Sequence, residues 1–191
     1  MSRTAAFDRE AAIRAARDVF WRDGYAETAL PTLEKATGLN RSSIYNSFGS
    51  KRGLFDAAVD NYLDEVVRPR LRPLHADVVA ANALNDYLTG LSTAFENFDP
   101  APGCLLVNAS GSSLVLDAEV TRVITDYLEE LRRAVERGVN AALPELEPLE
   151  AQRRVDAVAG LIISAFTLVR LNPESAIQTL DTARALIEPN R

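Results

Sequence analysis

The segment from Gly24 to Lys51 constrains the fold most, because it carries start and stop signals for short helices in quick succession: GYAETALPTLEKATGLNRSSIYNSFGSK. Proline is tolerated in the first turn of a helix, where its missing amide would have no partner anyway. Pro31 therefore predicts a helix that begins near Thr28, with the threonine as its N-cap. Gly38 is the residue best able to end that helix in the left-handed conformation.

A second short helix is predicted directly after this turn. Asn40 is placed to cap a helix from Arg41 to Phe48, in which Ile44 and Phe48 lie four residues apart and face inward. Two helices of this size, joined by a turn that contains glycine, are typical of a helix-turn-helix.

The outward side of the second helix is polar and amphipathic, and its residues are Arg41, Ser42, Ser43, Tyr45 and Asn46. In helix-turn-helix proteins the N-terminal end of this helix enters the major groove, where Arg hydrogen-bonds guanine and Asn adenine. Ser50 is placed to cap a following helix, whose first amides and Lys51 ammonium suit a phosphate. The pattern predicts DNA binding. A helical hairpin with a solvated face is the alternative.

Charge is unevenly distributed along the chain. The net charge of −6 argues at first sight against a nucleic-acid partner. Residues 1–52, however, carry nine Lys and Arg against six Asp and Glu, whereas the remainder carries twelve against twenty-one. This asymmetry predicts a basic N-terminal module on an acidic body.

Helical periodicity continues through the rest of the chain, and no segment shows sustained period-two alternation, so an all-α protein is predicted. The predicted helices cover residues 8–23, residues 51–66 with a break around Pro69 and Pro73, residues 84–98, residues 104–116 despite Gly111, residues 119–140, residues 149–171, and residues 173–187 with Asn172 as N-cap. In the helix at 149–171, nearly every face is apolar after Val155. This pattern predicts that other protein segments pack against both sides of the helix. A second subunit is the simplest second cover, so a homodimer through 119–140 and 149–171 is predicted.

The composition offers no recognisable catalytic chemistry. One His and one Cys provide neither a nucleophile–base pair nor a ligand-spaced metal cluster, so no enzyme, metal or cofactor is predicted. The lone Cys104 excludes an internal disulfide and fits a reducing cytoplasm. No apolar run reaches the length of a membrane span, and the N-terminus does not read as a signal peptide.

Residues 11–62 resemble the TetR/AcrR family of bacterial repressors. The resemblance is carried by Ile13, Ala16, Phe20, Gly24-Tyr25, Thr28, Ala36-Thr37-Gly38-Leu39, Ile44-Tyr45 and Phe48-Gly49-Ser50-Lys51. It implies a three-helix DNA-binding head, residues 1–50, and a larger helical effector-binding and dimerisation body, residues 51–191. Glu34 departs from the family pattern, which has a small Ala at that position.

The resemblance also implies roles for individual residues in the head. Those matching Thr28, Tyr45 and Lys51 are expected to contact phosphates, and those matching Arg41, Ser42, Ser43 and Asn46 to face the bases. The implied function is a repressor that binds a palindromic operator as a dimer and is released by a small hydrophobic effector. Such a bacterial protein is expected in the cytoplasm, on the nucleoid when DNA-bound. The alternative is a helical small-molecule-binding or adaptor protein without specific DNA binding.

Two features of the body are candidate sites. An apolar effector cavity is expected from Tyr62, Tyr87, Leu91, Phe95, Phe98, Leu105, Asn108, Tyr127 and Phe166, with a plain core as the alternative. Cys104 is a candidate thiol sensor, with a small buried hydrophobe as the alternative.

Overall fold

A computed structural model describes residues 8–97 and 101–188 of the chain. Within these ranges every regular element is helical and no strand forms, which confirms the all-α prediction. The chain divides into two compact units, Met1–Val67 and Arg68–Arg191. The functional boundary predicted between residues 50 and 51 stays a prediction.

Between residues 8 and 67, the described part of the first unit contains four α-helices and a terminal π-helical turn. The elements are α1 (Arg9–Asp23), α2 (Leu30–Thr37), α3 (Arg41–Phe48), α4 (Lys51–Tyr62) and the π turn Leu63–Val67. Helix α1 packs against α2 and α4, and α3 packs against both α2 and α4. Phe20 and Phe55 are buried at the centre, with ring centroids 5.2 Å apart.

The caps predicted for α3 and α4 are confirmed. The Asn40 side-chain oxygen accepts from the Ser43 amide at 2.8 Å, and the Ser50 hydroxyl oxygen accepts from the Gly53 amide at 3.0 Å. Gly38 ends α2 in the left-handed region with φ 69°. The left-handed backbone of Gly38 and the side-chain cap of Asn40 therefore set the two ends of the turn between α2 and α3.

The capping role predicted for Thr28 is wrong. Ala29 is the N-cap residue of α2 and makes no side-chain cap hydrogen bond. Thr28 is only 2% exposed, and its hydroxyl donates to the Gly24 carbonyl at 2.6 Å. A buried hydroxyl must find a partner, and the carbonyl at the end of α1 is the partner that it reaches.

The break predicted around Pro69 is also wrong. Residues 51–75 stay helical, as α4, the π turn, α5 (Arg68–Leu71) and a 3₁₀ turn (Arg72–His75) in succession. Pro69 has no amide to donate to the carbonyl of Glu65, and its ring crowds that carbonyl. The wider π turn just before the proline accommodates both effects without ending the helix.

The π turn is held against α1 by charged hydrogen bonds. Glu65 accepts from Arg14 Nε at 2.8 Å and from Arg17 at 3.0 Å. Arg17 also donates to the side-chain oxygen of Asn61 at 2.9 Å. The hydrogen bond from Arg14 holds the pKa of Glu65 below its usual value.

Acidification is expected to weaken this attachment. Because the folded pKa of Glu65 lies below its unfolded value, the carboxylate stabilises the fold above the unfolded pKa, about 4.3, and loses that contribution as pH falls through the folded pKa. Glu65→Gln should therefore lower Tm at neutral pH, and the difference from wild type should shrink below about pH 4. Thermal unfolding across pH measures this, with Glu27→Gln as the control. A Tm difference that does not vary with pH would contradict the prediction.

The second unit contains the remaining helices. They are α5, α6 (Ala83–Asn97), α7 (Leu105–Ser110), α8 (Ala118–Ala142), α9 (Pro148–Leu168) and α10 (Pro173–Ala185), with 3₁₀ turns at Arg72–His75 and Ser113–Leu116. Helix α9 packs against both α8 and α10, α6 packs against α8 and α10, and α7 contacts α8 and α9.

The predicted cap of the last helix is confirmed, since the Asn172 side-chain oxygen accepts from the Ser175 amide at 3.0 Å. The single helix predicted through Gly111 is wrong, because α7 ends at Ser110. The Ser112 hydroxyl donates to the Ala109 carbonyl at 2.8 Å and accepts from the Leu114 amide at 3.2 Å. These local hydrogen bonds compete with the helical pattern and start a 3₁₀ turn instead.

Candidate nucleic-acid interface

Helix α3 exposes a polar face because its apolar side is buried in the core of the first unit. Ile44 is fully buried, whereas the exposed residues of the helix are Arg41, Ser42, Tyr45 and Asn46. Ser43 is half-buried, and its amide is held by the Asn40 cap. Four of the five residues predicted on the outward side therefore share one accessible face.

Arg41 and Tyr45 form a pair on this face. The Arg41 guanidinium carbon lies 5.7 Å from the centroid of the Tyr45 ring, and Tyr45 is 41% exposed. The two residues are four positions apart, so they lie on adjacent turns of the helix. Stacking restricts the arginine while its N–H groups stay available to acceptors, which suits recognition of guanine or phosphate.

Lys51 is tied to the loop that precedes α2. Its Nζ donates to the Tyr25 carbonyl at 2.6 Å and lies 4.3 Å from the centroid of the Tyr25 ring. Burial lowers the pKa of Lys51 below its usual value, and the charge of Glu27 acts in the opposite direction. An ammonium has three donors, so this contact leaves donors for a phosphate. Sequence reasoning missed Tyr25, because no local spacing links it to Lys51.

Thr28 and Glu34 lie outside α3. Thr28 is buried, with its hydroxyl engaged by the Gly24 carbonyl. Its predicted phosphate contact stays a prediction. Glu34 is half-buried on α2, which packs directly against α3. The position that usually holds a small residue therefore accommodates the acid without full burial of the carboxylate.

The residues predicted to line an effector cavity lie mostly on neighbouring helices of the second unit. Those that are buried there are Leu91, Phe95, Leu105, Tyr127 and Phe166, and those that are half-buried are Tyr87 and Asn108. The Phe95 and Phe166 ring centroids are 6.0 Å apart in an edge-to-face pair. Tyr62 belongs to the first unit, where it packs against Trp21 at 4.9 Å. Phe98 lies outside the described residues.

Two polar contacts lie within this group. The Cys104 thiol lies 3.5 Å from the Tyr127 hydroxyl, and Asn108 Nδ2 donates to the Pro102 carbonyl at 2.8 Å. Desolvation raises the pKa of the Tyr87 hydroxyl well above its usual value, and the Cys104 thiol adds to that shift. Cys104 is fully buried, and its role as a sensor stays a prediction.

A separate cleft of about 300 Å³ opens elsewhere in the second unit. Its lining residues are Ala81, Asn82, Asn85, Ala142, Ile187 and Glu188. None of the residues predicted to bind an effector is among them. Within the described ranges no group of His, Cys, Asp and Glu side chains is arranged to hold a metal ion. Nor is any helix there long and apolar enough to cross a membrane.

The helix-turn-helix geometry agrees with a family of known proteins. The model of the tetR family of bacterial regulatory proteins matches residues 12–58, which include all of α2 and α3 and most of α1 and α4. Residues 12–58 are a tetR-family helix-turn-helix region. Because this is a family of regulators, the match supports a regulator rather than an enzyme.

TetR-family relatives extend the similarity beyond the helix-turn-helix. The transcriptional repressor ComR of Escherichia coli is 35% identical over 107 residues, which are 56% of this chain and 51% of ComR. The chain thus spans about half the length of that relative. The uncharacterised regulator YezE of Bacillus subtilis is 28% identical over 139 residues, 73% of this chain and 72% of YezE.

A solved TetR-family structure matches nearly the whole chain. It is a cysteine mutant of the regulator CifR complexed with 26-base-pair double-stranded operator DNA. The similarity covers 95% of this chain and 97% of CifR, with 26% identity and a TM-score of 0.77. The two-part helical architecture is therefore that of a TetR-family protein.

Proposed function

We propose that this chain is a repressor that binds a palindromic operator in double-stranded DNA as a homodimer and is released by a small hydrophobic effector. The observation that carries the proposal is the exposed face of α3. Arg41, Tyr45 and Asn46 are exposed on this helix, whereas Ile44 is buried. ComR is a transcriptional repressor, and a cysteine mutant of CifR has been solved in complex with operator DNA, which supports the same role here. The expected location is the bacterial cytoplasm, on the nucleoid when DNA-bound.

The proposed dimer uses α8 and α9. Ala157, Gly160 and Ser164 are exposed at positions i, i+3 and i+7 of α9, and they form a strip of small side chains. A Cβ built on Gly160 would meet no atom of its own subunit within 4 Å. Small residues let helices approach closely, so the strip suits a partner helix. Two heads would then read half-sites about one helical turn apart, ~34 Å.

The proposed effector site is the aromatic group shared by α6, α7, α8 and α9. Its apolar side chains with a few polar groups, Tyr87 and Asn108 among them, match the usual composition of a small-molecule pocket. An effector releases DNA only if it binds the non-binding state more tightly than the DNA-binding state. The proposed release therefore requires that the effector has different affinities for the two states of the protein.

Selection of bound duplexes from a random DNA library tests the function directly. We expect a palindrome that binds far more tightly than random DNA and with strong salt dependence. Release of that palindrome then provides the assay for screening apolar effectors. If no sequence is enriched by native protein or by protein refolded to remove carried-over ligand, the repressor proposal fails. The adaptor alternative then becomes the better one.

Substitutions on the face should divide into two classes. Tyr45→Ala and Lys51→Ala should weaken binding to operator and random DNA alike. Lys51→Ala should also reduce the salt slope by about one per lost phosphate contact, whereas Tyr45 carries no charge, so Tyr45→Ala should reduce the slope only modestly. Arg41→Ala and Asn46→Ala should instead relax sequence preference, by about 1–3 kcal/mol at the affected base pair. Titration of operator and single-base variants at several salt concentrations measures both effects. Equal losses on all DNA for all four variants would contradict this division.

A further inference from the structure

The first turn of α1 reaches the end of α3. Asp8 caps α1 by accepting from the Ala11 amide at 3.1 Å, so the helix begins firmly at Arg9. The Arg9 guanidinium carbon lies 5.0 Å from the centroid of the Phe48 ring, at the last residue of α3. Sequence reasoning gave Arg9 no role, because nothing in the local spacing connects these two residues.

Phe48 shares a stripe of α3 with the residues of the DNA-binding face. Arg41, Tyr45 and Phe48 lie at positions i, i+4 and i+7, which stack on successive turns of one side of a helix. Arg41 stacks on Tyr45, and Arg9 stacks on Phe48. The stripe therefore has a guanidinium group at each end, one from α3 itself and one from α1.

Among the ion pairs that join described residues, the pair made by Arg9 is the longest of those made by the arginines of α1. Arg14, Arg17 and Arg22 form ion pairs at 2.8, 2.8 and 2.7 Å. Arg9 has a 3.8 Å pair with Glu10, and both side chains are more than half exposed. Solvated pairs of this kind contribute little and are readily exchanged for a better partner.

We propose that Arg9 is a further DNA-contacting residue, which binds a backbone phosphate beside the groove that α3 enters; this rests on the proposed DNA-binding function. The N-terminal end of a recognition helix reads the bases, so a cation at its C-terminal end lies nearer the backbone. A stacked guanidinium keeps its N–H edge for phosphate oxygens, and Phe48 fixes the plane of that edge. A phosphate contact adds affinity and register without sequence information.

The test uses the full-length dimer and the duplex recovered by library selection. The variants are Arg9→Ala, Arg9→Lys and, as a control on the same helix, Arg22→Ala. Two heads would lose two phosphate contacts in Arg9→Ala, so the salt slope should fall by about 1.8. The ratio of affinities at about 50 mM and about 200 mM salt should then fall about tenfold. Arg9→Lys should keep the wild-type slope, and Arg22→Ala should match wild type.

The possible outcomes separate this proposal from the proposed function. If wild type binds a selected duplex with strong salt dependence but Arg9→Ala keeps the wild-type slope, the Arg9 proposal alone is overturned. A lower Tm with an unchanged slope would also overturn it, because it would mean that Arg9 only joins α1 to α3. If wild type binds no duplex, both proposals fail. A reduced slope for Arg9→Ala on operator and random DNA, with Tm unchanged, is the expected result.

Discussion

Replacing Gly53 by alanine is expected to disrupt the junction between α3 and α4 and to abolish operator binding. A Cβ at Gly53 would clash with the carbonyl oxygen of Phe48 and would lie 3.2 Å from its carbonyl carbon. Both atoms are backbone atoms in the last turn of α3, so no side chain can rotate away to relieve the clash. Gly49, with φ 76°, already fixes the chain between the two helices.

The expected cost of Gly53→Ala is about 3 kcal/mol or more, at the upper end of overpacking effects. The single tryptophan, Trp21, lies in the first unit against Tyr62, so its fluorescence reports denaturant unfolding of that unit. Gly90→Ala on α6 is the matched control, because its Cβ would meet nothing within 4 Å. Alanine there should stabilise α6 by up to about 1 kcal/mol. Similar stability of the first unit in the two variants would contradict the prediction.

Gly53 also illustrates what the sequence could and could not predict. The Asn40 and Ser50 caps depend on side-chain hydrogen bonds, and the Gly38 turn on the conformational freedom of glycine; all three act within three or four residues. Chemistry of that range can be inferred from spacing, so the helix-turn-helix was predicted with the correct limits for α3. The close approach of Gly53 to Phe48 depends on the angle between two helices, which spacing alone does not give.

The errors have a common physical origin. Thr28 was expected to cap α2, but burial directs its hydroxyl to the Gly24 carbonyl. Pro69 was expected to end a helix, but the chain stays helical there and a π turn precedes the proline. Burial in the first case and a change of helix type in the second override the local signal that the residue carries. The contacts of Arg9 with Phe48 and of Lys51 with Tyr25 join residues far apart in sequence, so no local sequence pattern predicts them.

Replacing Gly160 by arginine is expected to separate the proposed dimer and to remove most of its operator affinity. Gly160 is exposed on α9 within the strip of small residues, between Ala157 and Ser164. A long charged side chain there would hold a partner helix apart and bury a charge without a counter-ion if the interface formed. Within one subunit the substitution meets open space, so the fold itself should tolerate it.

Gly90→Arg supplies a matched control for this prediction. Gly90 is also an exposed helical glycine with nothing within 4 Å of its Cβ, and the change in charge is the same. Light scattering should give a monomer mass for Gly160→Arg and a dimer mass for Gly90→Arg. If both variants remain dimeric, α9 does not form the interface through this strip.

DNA binding should report the same separation independently of mass. Two linked heads bind a palindrome with an avidity of about 10²–10⁴ over one head, because the second contact becomes intramolecular. Gly160→Arg should lose that factor on the full palindrome and keep wild-type affinity for one half-site at matched salt. Its salt slope on the palindrome should also fall to about half, since one head neutralises half the phosphates. Loss of affinity for the half-site as well would instead indicate damage to the head and would contradict an effect confined to dimerisation.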